Sequence, residues 1–290
     1  MVYAVISDVH GNLEATKAVF AKLQSIDEVH CLGDIVGYGP NPEECCNIVK
    51  DKCEIITMGN HDAEVSDAYP NANVKFAGKK AKKVIAQSTR HLSRANNKWL
   101  ETLQAKKYKG NAFFAHGNPS QIEPYCISEY LILDLSYYRD SFSVIPDTEP
   151  VQSDFAHRDE GLFAELFNHM RAEQLDEAFF GHSHLAFAVR RPKTSKTVQG
   201  IELMLVVHNL PLDPTQDASF ELELDPNYQY AFNPGSVGQP RDLDRRASFL
   251  VRDGNKAIFH RARYDPTETT RKMDALGIEE AYVKRLWLGK

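Results

Sequence analysis

Residues 2–20 read VYAVISDVHGNLEATKAVF, and this stretch sets the pattern that predicts the fold. The apolar run at 2–6 is typical of a buried strand, and the polar turn SDVHGN follows it at 7–12. From Leu13 onward the apolar residues recur at helical spacing, and Asn12 is placed to cap that helix. The stretch therefore predicts a strand–turn–helix unit whose chemically versatile residues lie in the turn.

The same unit recurs along the first part of the chain. A second strand is predicted at 29–33, and the helix after it opens with NPEE at 41–44, which has the Pro and Glu positions of a capping box. A third strand at 54–58 precedes a helix-rich region at about 73–105, and a fourth strand covers 112–115. Alternating strands and helices predict a parallel sheet with helices on its faces, and such sheets bind ligands at the carboxyl ends of the strands.

The second half is less regular and indicates more strands than helices. A helix is predicted around 160–174 and two amphipathic helices at 267–275 and 279–287. Strands are predicted near 177–180, 186–190, 202–207, 219–224, 247–252 and 256–263, and their turn signals favour an antiparallel second sheet. The fold class is therefore α/β, as a single domain over 1–290 with a lid-like segment at about 118–160 and insertions at about 190–219.

Composition excludes several classes of protein. The chain has 34 Lys and Arg against 40 Asp and Glu, a net charge of −6, which argues against a protein that binds a nucleic acid duplex through bulk positive charge. Five cysteines without a CxxC pair argue against a disulfide framework and favour a reducing compartment, the cytoplasm. The apolar stretch at 201–207 is far too short to span a membrane, so a soluble protein without a membrane partner is expected.

Histidine placement gives the first indication of chemistry. Five of the eleven histidines lie beside Gly or Asp at predicted strand ends, in DVH (8–10), GNHD (59–62), HG (116–117) and GHSH (181–184). Each motif alone is a weak signal, because Asp-x-His is often a turn cap, but their recurrence at successive strand ends together with GD (33–34) predicts a shared site. Imidazoles with a few carboxylate and amide oxygens suit Mn, Fe, Zn or Ni better than Ca or Mg.

These motifs also carry a family resemblance. The ordered series DVHGN (8–12), GDIVGYGP (33–40), GNHD (59–62), HG (116–117) and GHSH (181–184) resembles the calcineurin-like metallophosphoesterase superfamily. NPGSVGQPRD (233–242) resembles its small bacterial and archaeal phosphodiesterase branch, which includes enzymes of the diadenosine tetraphosphatase type. The resemblance implies a two-sheet α/β sandwich that holds two divalent transition metal ions.

The resemblance also implies a role for individual residues. It assigns Asp8, His10 and His184 to one metal, Asn60, His116 and His182 to the other, and Asp34 to a bridge between them. It assigns His61 to the leaving group, and the mechanism that we infer from it adds Asp62 as the residue that orients His61. Other roles stay open from the sequence: His61 as a metal ligand or a structural hydrogen-bonding residue, Asp34 as a helix cap, and Asn60 as a turn residue with left-handed backbone.

The implied reaction is hydrolysis of a small phosphodiester, a dinucleoside polyphosphate or a phosphomonoester by a hydroxide that bridges the metals. Only two of the seven implied ligands are carboxylates, so a pair of divalent ions would keep a net positive charge that attracts phosphate. The protein Ser/Thr phosphatases of the superfamily carry Asp-Arg-Gly where this chain has GYG at 37–39. Protein dephosphorylation is therefore not expected, and the expected partner is a small phosphate ester such as a nucleotide.

Two substrate contacts are predicted outside the metal ligands. Tyr38 either stacks on a base or packs under the site. Arg241 follows a glycine-rich loop in which Gly235 and Gly238 are expected to turn backbone amides toward an anion. The alternative for Arg241 is a surface salt bridge with one of the aspartates that follow it in the chain.

Three other functions fit parts of the pattern. A non-catalytic scaffold could keep this fold, although scaffolds can lose ligands and this chain has all seven together with His61. A DNA nuclease of the same superfamily predicts a basic groove, which the charge does not favour. A metal-dependent C–N hydrolase shares the histidine-rich ligands, but the GNHD motif at 59–62 points away from it.

Overall fold

The computed structural model describes residues 2–66, 79–117, 156–195, 201–206, 210–211 and 213–290. In chain order, the strands are β1 (Val2–Ile6), β2 (Glu28–Cys31), β3 (Ile55–Ile56), β4 (Lys106–Lys109), β5 (Ala112–Ala115), β6 (Glu177–Phe179), β7 (Ala186–Pro192), β8 (Glu202–Leu205), β9 (Ala218–Glu223), β10 (Tyr228–Pro234), β11 (Ala247–Asp253) and β12 (Lys256–Ala262). The helices are α1 (Leu13–Lys22), α2 (Pro42–Lys52), α3 (Asn60–Ser66), α4 (Lys79–Ser88), α5 (Arg94–Glu101), α6 (Ala156–Ala172), α7 (Thr267–Ala275) and α8 (Glu280–Leu288).

The strands form two mixed sheets of six strands each. The first sheet has the order β3-β2-β1-β11-β12-β9, in which β1, β2 and β3 run parallel and the other three strands add antiparallel pairings. The second sheet has the order β4-β5-β6-β10-β7-β8, in which β5, β6 and β10 run parallel. The expected α/β class with two sheets is confirmed.

The two sheets pack face to face, with helices on their outer faces. Aromatic residues from both sheets fill the layer between them, and the stacked rings of Phe114, Phe179 and Phe232 lie 5.1 and 5.3 Å apart. Alternate residues of β1 face opposite ways, so that Val5 joins this inner layer while Ile6 packs toward α1 and α2. Burial of both faces explains the uninterrupted apolar run of β1.

The structure corrects the predicted partition of the strands. The strands of the second half do not form their own antiparallel sheet, because β9, β11 and β12 extend the first sheet while β7, β8 and β10 complete the second. Strand β10 was not predicted, although the turn residues DPN at 225–227 precede its sequence YQYAFNP, which runs into the glycine-rich loop. Both sheets contain pairings between strands distant in sequence, such as β1 with β11 and β6 with β10, which local patterns do not encode.

Two finer predictions have different outcomes. Asn12 caps α1, because its side-chain oxygen accepts a hydrogen bond from the Ala15 N–H at 3.2 Å. The capping box at α2 is wrong: the side chain of Asn41 donates to Glu44 and its oxygen accepts from Lys272, so no side-chain cap forms. The Asn41 oxygen that a cap would need instead accepts a hydrogen bond from Lys272 of α7.

The remaining predictions concern surface segments. The stretch at 190–200 includes the end of β7 and leads to β8, and these two strands pair as an antiparallel hairpin. Most of the predicted lid, residues 118–155, lies outside the described residues. No described helix combines the length and the apolar character that crossing a membrane requires.

Candidate metal centre

The predicted site residues come together at the carboxyl ends of strands from both sheets. Asp8 and His10 follow β1 and Asp34 follows β2, while Asn60 and His61 begin α3 just after β3; His116 follows β5, and His182 and His184 follow β6. All of these side chains are buried except that of His182, which is partly exposed. The loops of two sheets thus converge where the sequence predicts a single site.

The backbone at these positions is unusual. Five of the seven described non-glycine residues with positive φ are predicted metal ligands, namely Asp8, His10, Asp34, His182 and His184. Left-handed backbone is unfavourable for residues with a Cβ, costing on the order of 1 kcal/mol or more each. Strain concentrated on these five residues indicates that the fold holds them in place for a role other than stability.

One group of atoms surrounds the Asp8 carboxylate. Its Oδ1 lies 3.4 Å from His184 Nε2 and 3.9 Å from His10 Nε2, and the two Nε2 atoms are 3.1 Å apart. These three side chains satisfy the spacing of a metal-binding group, and they are the three residues that the resemblance assigns to the first metal. Two neutral imidazoles and one carboxylate are suitable ligands for a first-row transition ion.

A second group surrounds His116 and His182. The Asn60 Oδ1 atom lies 2.9 Å from His182 Nδ1, and Asp34 Oδ2 lies 3.2 Å from His116 Nε2. Asp34 Oδ2 is also 3.7 Å from His10 Nε2, so this carboxylate lies between the two groups. Asp34, His116 and His182 again have the spacing of a metal-binding group. Asn60 is helical, not left-handed, so the role as a left-handed turn residue is excluded.

Backbone carbonyls orient three of the imidazoles. The Nδ1 atoms of His10, His116 and His184 lie 3.2, 2.9 and 2.6 Å from the carbonyl oxygens of Val36, Leu32 and Gln239. A carbonyl accepts a hydrogen bond, so Nδ1 carries the proton and Nε2 keeps its lone pair for the site. Such outer contacts fix the tautomer and orientation of metal-binding histidines.

Several buried polar atoms at the centre have no hydrogen-bond partner among the described residues, including Asp8 Oδ1 and His116 Nε2. Buried polar atoms are almost always paired, so unpaired atoms that converge on one point fit a bound cation. The electrostatics agree: burial raises the pKa of Asp8 to about 6, and burial lowers the pKa of His182 to about 3. Burial would lower the pKa of His116 as well, but the charge of the neighbouring Asp34 raises it to about 9.

Asp34 also acts as a cap. Its Oδ1 accepts a hydrogen bond from the His61 backbone N–H at 2.8 Å, at the start of α3, while Oδ2 faces the site. The capping role and the proposed ligand role are therefore compatible. Gly59 makes room for this arrangement, because a Cβ at that position would lie 2.1 Å from Asp34 Oδ1.

His61 lies at the edge of the centre. Its Nε2 is 3.9 Å from Asp34 Oδ2, and its Nδ1 is buried without a partner. The ring packs against His10 and Tyr38 at centroid distances of 4.8 and 4.7 Å, and burial lowers its pKa. His61, His10 and Asp34 also have metal-binding spacing, so the geometry leaves both the ligand role and the leaving-group role open.

Asp62 does not orient His61, which corrects the sequence-based expectation. Its carboxylate accepts hydrogen bonds from the backbone N–H groups of Ile35 at 2.9 Å, Val36 at 3.2 Å and Gly59 at 3.0 Å. Burial and the neighbouring Asp34 raise its pKa to about 7. Asp62 therefore ties together the loops that carry Asp34 and Asn60, and it acts on the site through the backbone.

Tyr38 and Arg241 lie next to each other beside the centre. Tyr38 is 8% exposed and packs on His10 and His61, which favours packing under the site over stacking on a base. Arg241 lies with its Cζ 5.8 Å from the Tyr38 ring centroid, and its charge contributes to lowering the pKa of His184 and His10 after burial. Neither residue is shown to contact a substrate, so both roles stay predictions.

The salt-bridge alternative for Arg241 is wrong. Its guanidinium donates to Gln239 Oε1 at 3.1 Å, whereas Asp242 pairs with Arg261 and Asp244 pairs with Arg246. Both carboxylates are paired with arginines that the sequence pattern did not single out. The positive charge of Arg241 therefore remains beside the candidate metal centre.

The glycine-rich loop at 233–240 has a different task from the one predicted. The N–H of Gly235 donates to Asn233 Oδ1 and that of Gly238 donates to the carbonyl of Asp8, so these amides do not face an anion. Instead, the Ser236 hydroxyl donates to the Asp8 carbonyl at 2.8 Å, and Asn233 donates to the Gly181 carbonyl at 2.8 Å. The loop braces the backbone of the ligand loops, a positioning role that only its density of Asn, Ser and Gln could have suggested.

Comparison with known proteins agrees with this geometry. The sequence profile of the calcineurin-like phosphoesterase family matches residues 1–186. The uncharacterized protein MJ0912 of Methanocaldococcus jannaschii is 31% identical, covering 99% of this chain and 98% of that protein. A crystal structure of a metallophosphoesterase from Sphaerobacter thermophilus is similar over the full length of both chains, with 26% identity and a TM-score of 0.69. Since the profile spans well over half of the sequence and includes every predicted metal ligand, this chain belongs to the calcineurin-like phosphoesterase family.

Proposed function

We propose that the protein is a dinuclear metal-dependent phosphoesterase that hydrolyses a small phosphodiester, a dinucleoside polyphosphate or a phosphomonoester. The observation that carries the proposal is the convergence of seven ligand-type side chains with unpaired buried atoms such as Asp8 Oδ1. In this proposal Asp8, His10 and His184 hold one metal, Asn60, His116 and His182 hold the other, and Asp34 lies between them. The donors suit Mn, Fe, Zn or Ni.

The bound ions supply Lewis-acid activation of water and neutralisation of phosphate charge. The protein supplies rigid placement: the carbonyls of Val36, Leu32 and Gln239 hold the imidazoles, and Asp62 holds the loops together. Placement within a fraction of an ångström matters because poorly oriented ligands lose much of their catalytic effect.

His61 is proposed to donate a hydrogen bond or a proton to the leaving oxygen. It is buried at the rim of the centre, with Nε2 within 3.9 Å of Asp34 and no internal partner for Nδ1. General acid–base groups of this kind contribute about 10²- to 10⁴-fold to turnover, and His is the residue that most often has this role. Arg241 is proposed to bind a phosphate oxygen of the substrate, because its charge is not neutralised by a carboxylate of the described chain.

Cysteine chemistry supports a reducing compartment. Cys31, Cys45, Cys46 and Cys53 are free thiols, and burial raises the pKa of each. Deeply protonated thiols are inert as nucleophiles and as metal ligands. We therefore propose a cytoplasmic location.

The test combines metal content with hydrolysis. Protein purified and loaded with Mn should bind about two ions per chain and hydrolyse bis-p-nitrophenyl phosphate. His61→Ala should keep its metal content and lose about 100-fold or more in turnover, whereas His91→Ala, an exposed histidine outside the site, should match the wild type. Metal binding without hydrolysis of any ester in a panel of monoesters, cyclic nucleotides and dinucleoside polyphosphates would favour the scaffold alternative.

A further inference from the structure

The C-terminal helices α7 and α8 cover one side of the candidate metal centre. Tyr38 from the loop after β2 shares a buried cluster with residues of both helices, including Met273, Tyr282 and Leu286. Helix α7 is fixed to α1, because Thr269 Oγ1 donates to Asn12 Oδ1 at 3.0 Å and Lys272 donates to Glu14 at 2.9 Å. Helix α8 is therefore held beside the site by packing in this cluster, and α7, which shares the cluster, is held to α1 by hydrogen bonds.

Two aromatic rings connect α8 to the centre. Tyr38 and Tyr282 are stacked, with ring centroids 5.5 Å apart and an interplanar angle of 23°. Each ring carries a guanidinium: Arg241 Cζ lies 5.8 Å from the Tyr38 centroid, and Arg285 Cζ lies 4.9 Å from the Tyr282 centroid. Aromatic faces hold a guanidinium by cation–π attraction and leave its N–H donors available at the edge.

No carboxylate of the described chain neutralises either guanidinium. Arg241 donates to the neutral side chain of Gln239, its Nε is buried without a partner, and neither it nor Arg285 forms an ion pair within the described ranges. Burial lowers the pKa of Arg285, and the charge of Arg241 lowers it further, so the two cations act on each other. Two like charges held close together are unfavourable unless an anion joins them.

Arg241 also lies beside the metal centre itself. Its backbone N–H donates to the carbonyl oxygen of His184 at 3.3 Å, and its guanidinium lies over the Tyr38 ring, which packs on His10 and His61. Arg241 and Arg285 therefore lie on two stacked rings, of which the Tyr38 ring also packs on the centre. Guanidinium groups are suited to bind a phosphate group there, because Arg binds phosphate oxygens in a bidentate way.

We infer that Arg241 and Arg285 form an anion subsite beside the metal centre that binds a second phosphate of the substrate, adjacent to the one that is cleaved. The inference rests on the proposed function for the position of the cleaved phosphate. It selects, among the proposed substrates, the dinucleoside polyphosphates, which carry two or more linked phosphates. Arg285 is a specificity-determining residue in this account, and Tyr282 positions it.

The test compares ligands that differ by one phosphate. Binding of AMP and of ADP to Mn-loaded protein is measured by titration calorimetry for the wild type, Arg285→Met and Arg285→Lys. Arg285→Met should weaken ADP binding at least about tenfold more than AMP binding, because a charge-assisted hydrogen bond to the second phosphate is lost. Arg285→Lys should show a smaller difference, since it keeps the charge but not the fork.

Arg271→Met is the matched control. Arg271 lies on α7, is exposed and pairs with Glu268, so its replacement removes one positive charge without touching the subsite. Its AMP and ADP affinities should equal those of the wild type. Equal weakening of AMP and ADP in Arg285→Met, or no weakening of either, would overturn the subsite.

Calorimetry also separates this inference from the proposed function. If the wild type hydrolyses no phosphate ester but Arg285→Met still loses ADP affinity selectively, the phosphoesterase proposal fails and the subsite stands. If the wild type hydrolyses bis-p-nitrophenyl phosphate but Arg285→Met loses affinity for AMP and for ADP equally, the subsite fails and the phosphoesterase proposal stands. Thermal unfolding of each variant, compared with the wild type, shows that the binding data come from folded protein.

Discussion

Two clusters of buried charged residues in this molecule differ in whether the chain itself supplies partners for the charged groups. The candidate metal centre contains two aspartates and several histidines, and atoms such as Asp8 Oδ1 and His116 Nε2 have no hydrogen-bond partner in the described chain. The second, which we call the arginine cluster, contains Asp242, Asp244, Arg246 and Arg261. There, Arg261 binds both oxygens of Asp242, and Arg246 Nε binds Asp244 Oδ1 at 2.9 Å.

The difference shows which buried charges serve stability and which are available to a ligand. In the arginine cluster two cations balance two carboxylates, and Arg246 uses its remaining donors on the carbonyls of Pro211, Asp213 and Gln216. In the metal centre the two carboxylates face imidazoles instead of arginines, and burial lowers the pKa of His10, His182 and His184. The arginine cluster, whose charges are paired within the chain although Arg261 Nε has no hydrogen-bond partner, holds the chain together, whereas the metal centre has unpaired atoms at strained backbone positions and is the candidate binding site.

The largest effect should come from removing the shared carboxylate of the metal centre. Asp34→Asn keeps the oxygen that caps α3 but removes the charge between the two metal groups. We expect metal content to fall and phosphoesterase turnover to drop more than about 100-fold, the upper end of what loss of an outer-shell partner costs. Metal analysis and hydrolysis of bis-p-nitrophenyl phosphate measure both.

The same variant tests whether the centre is incomplete without metal. Added Mn should raise the melting temperature of the wild type, because a ligand present at about 100 times its Kd stabilises the folded state by about 2.7 kcal/mol. Asp34→Asn should lose that rise, whereas Asp27→Asn, an exposed aspartate, should keep it. A full Mn-dependent rise in the melting temperature of Asp34→Asn would contradict the comparison, because it would show that metal binding at the centre does not need the Asp34 charge.

The second effect concerns stability. Arg261→Met leaves Asp242 buried without its cation, and breaking a buried ion pair in this way costs about 3–5 kcal/mol of the free energy of unfolding. Added Mn should not restore the loss, because the arginine cluster has no place for a metal. Urea unfolding with and without Mn measures both quantities.

A double variant is the control for that prediction. Arg261→Met combined with Asp242→Leu removes both charges and should recover most of the lost stability, since no uncompensated charge remains. If the single variant were as stable as the wild type, the cluster would not be the structural element that the comparison requires.

A smaller effect should follow from crowding the ligand loops. Gly37 has a φ of 139°, and a Cβ there would lie 2.7 Å from the Nδ1 atoms of both His10 and His61. Gly37→Ala should lose about 1–3 kcal/mol of stability and also lose activity, because both imidazoles must shift. Gly110→Ala, at a φ of 58° with open space around it, carries backbone strain alone and should keep full activity. Equal activity of the two variants would show that the imidazoles have more freedom than the packing indicates.

The smallest effect concerns His30, a third buried ionisable site. It extends the comparison because a cation of the chain itself lies in its surroundings. Lys109 binds Glu28 and Glu54 next to it, and burial lowers the pKa of His30 from 6.5 to about 4. A lowered folded-state pKa means that stability is fully present above pH 6.5 and is lost as the pH falls toward 4. His30 therefore destabilises the folded state in acid.

His30→Phe should remove this acid sensitivity. The new ring would lie between Tyr3 and Phe114, whose rings are 5.2 and 5.0 Å from the imidazole. Between pH 7 and pH 5 the metal-free wild type should lose about 1–2 kcal/mol more of its free energy of unfolding than the variant. Parallel pH profiles of the two proteins in urea unfolding would contradict the prediction.

Local patterns predicted most of the elements and the composition of the site. The strand β1, the cap at Asn12, and both C-terminal helices were predicted correctly, because spacing and capping are properties of neighbouring residues. The convergence of Asp8, Asp34, Asn60, His116, His182 and His184 was also predicted, from motifs at successive strand ends. Strand β10 and the division of the later strands between two sheets were not predicted, because strand pairing depends on contacts between residues that are distant in sequence.

Partner choice among polar side chains could not be predicted from spacing. Asp62 is adjacent to His61 in sequence but binds backbone amides of another loop, and Arg241 is adjacent to Asp242 but leaves it to Arg261. The contact of α8 with Tyr38 could not be predicted for the same reason, since α8 is far from the motifs in sequence and packs on Tyr38 only in the folded chain. Each of these pairings depends on which groups are buried together.

The sequence by itself determined the ligand types, their order and the α/β framework that carries them. The reason is that residue chemistry and hydrophobic periodicity depend only on each residue and its neighbours in the sequence. Only the tertiary structure decided which polar atoms are satisfied by the protein and which remain for a ligand. The physical reason is that a buried hydrogen bond or ion pair is set by three-dimensional proximity in a low-dielectric interior, where an unpaired atom costs far more than it would in water.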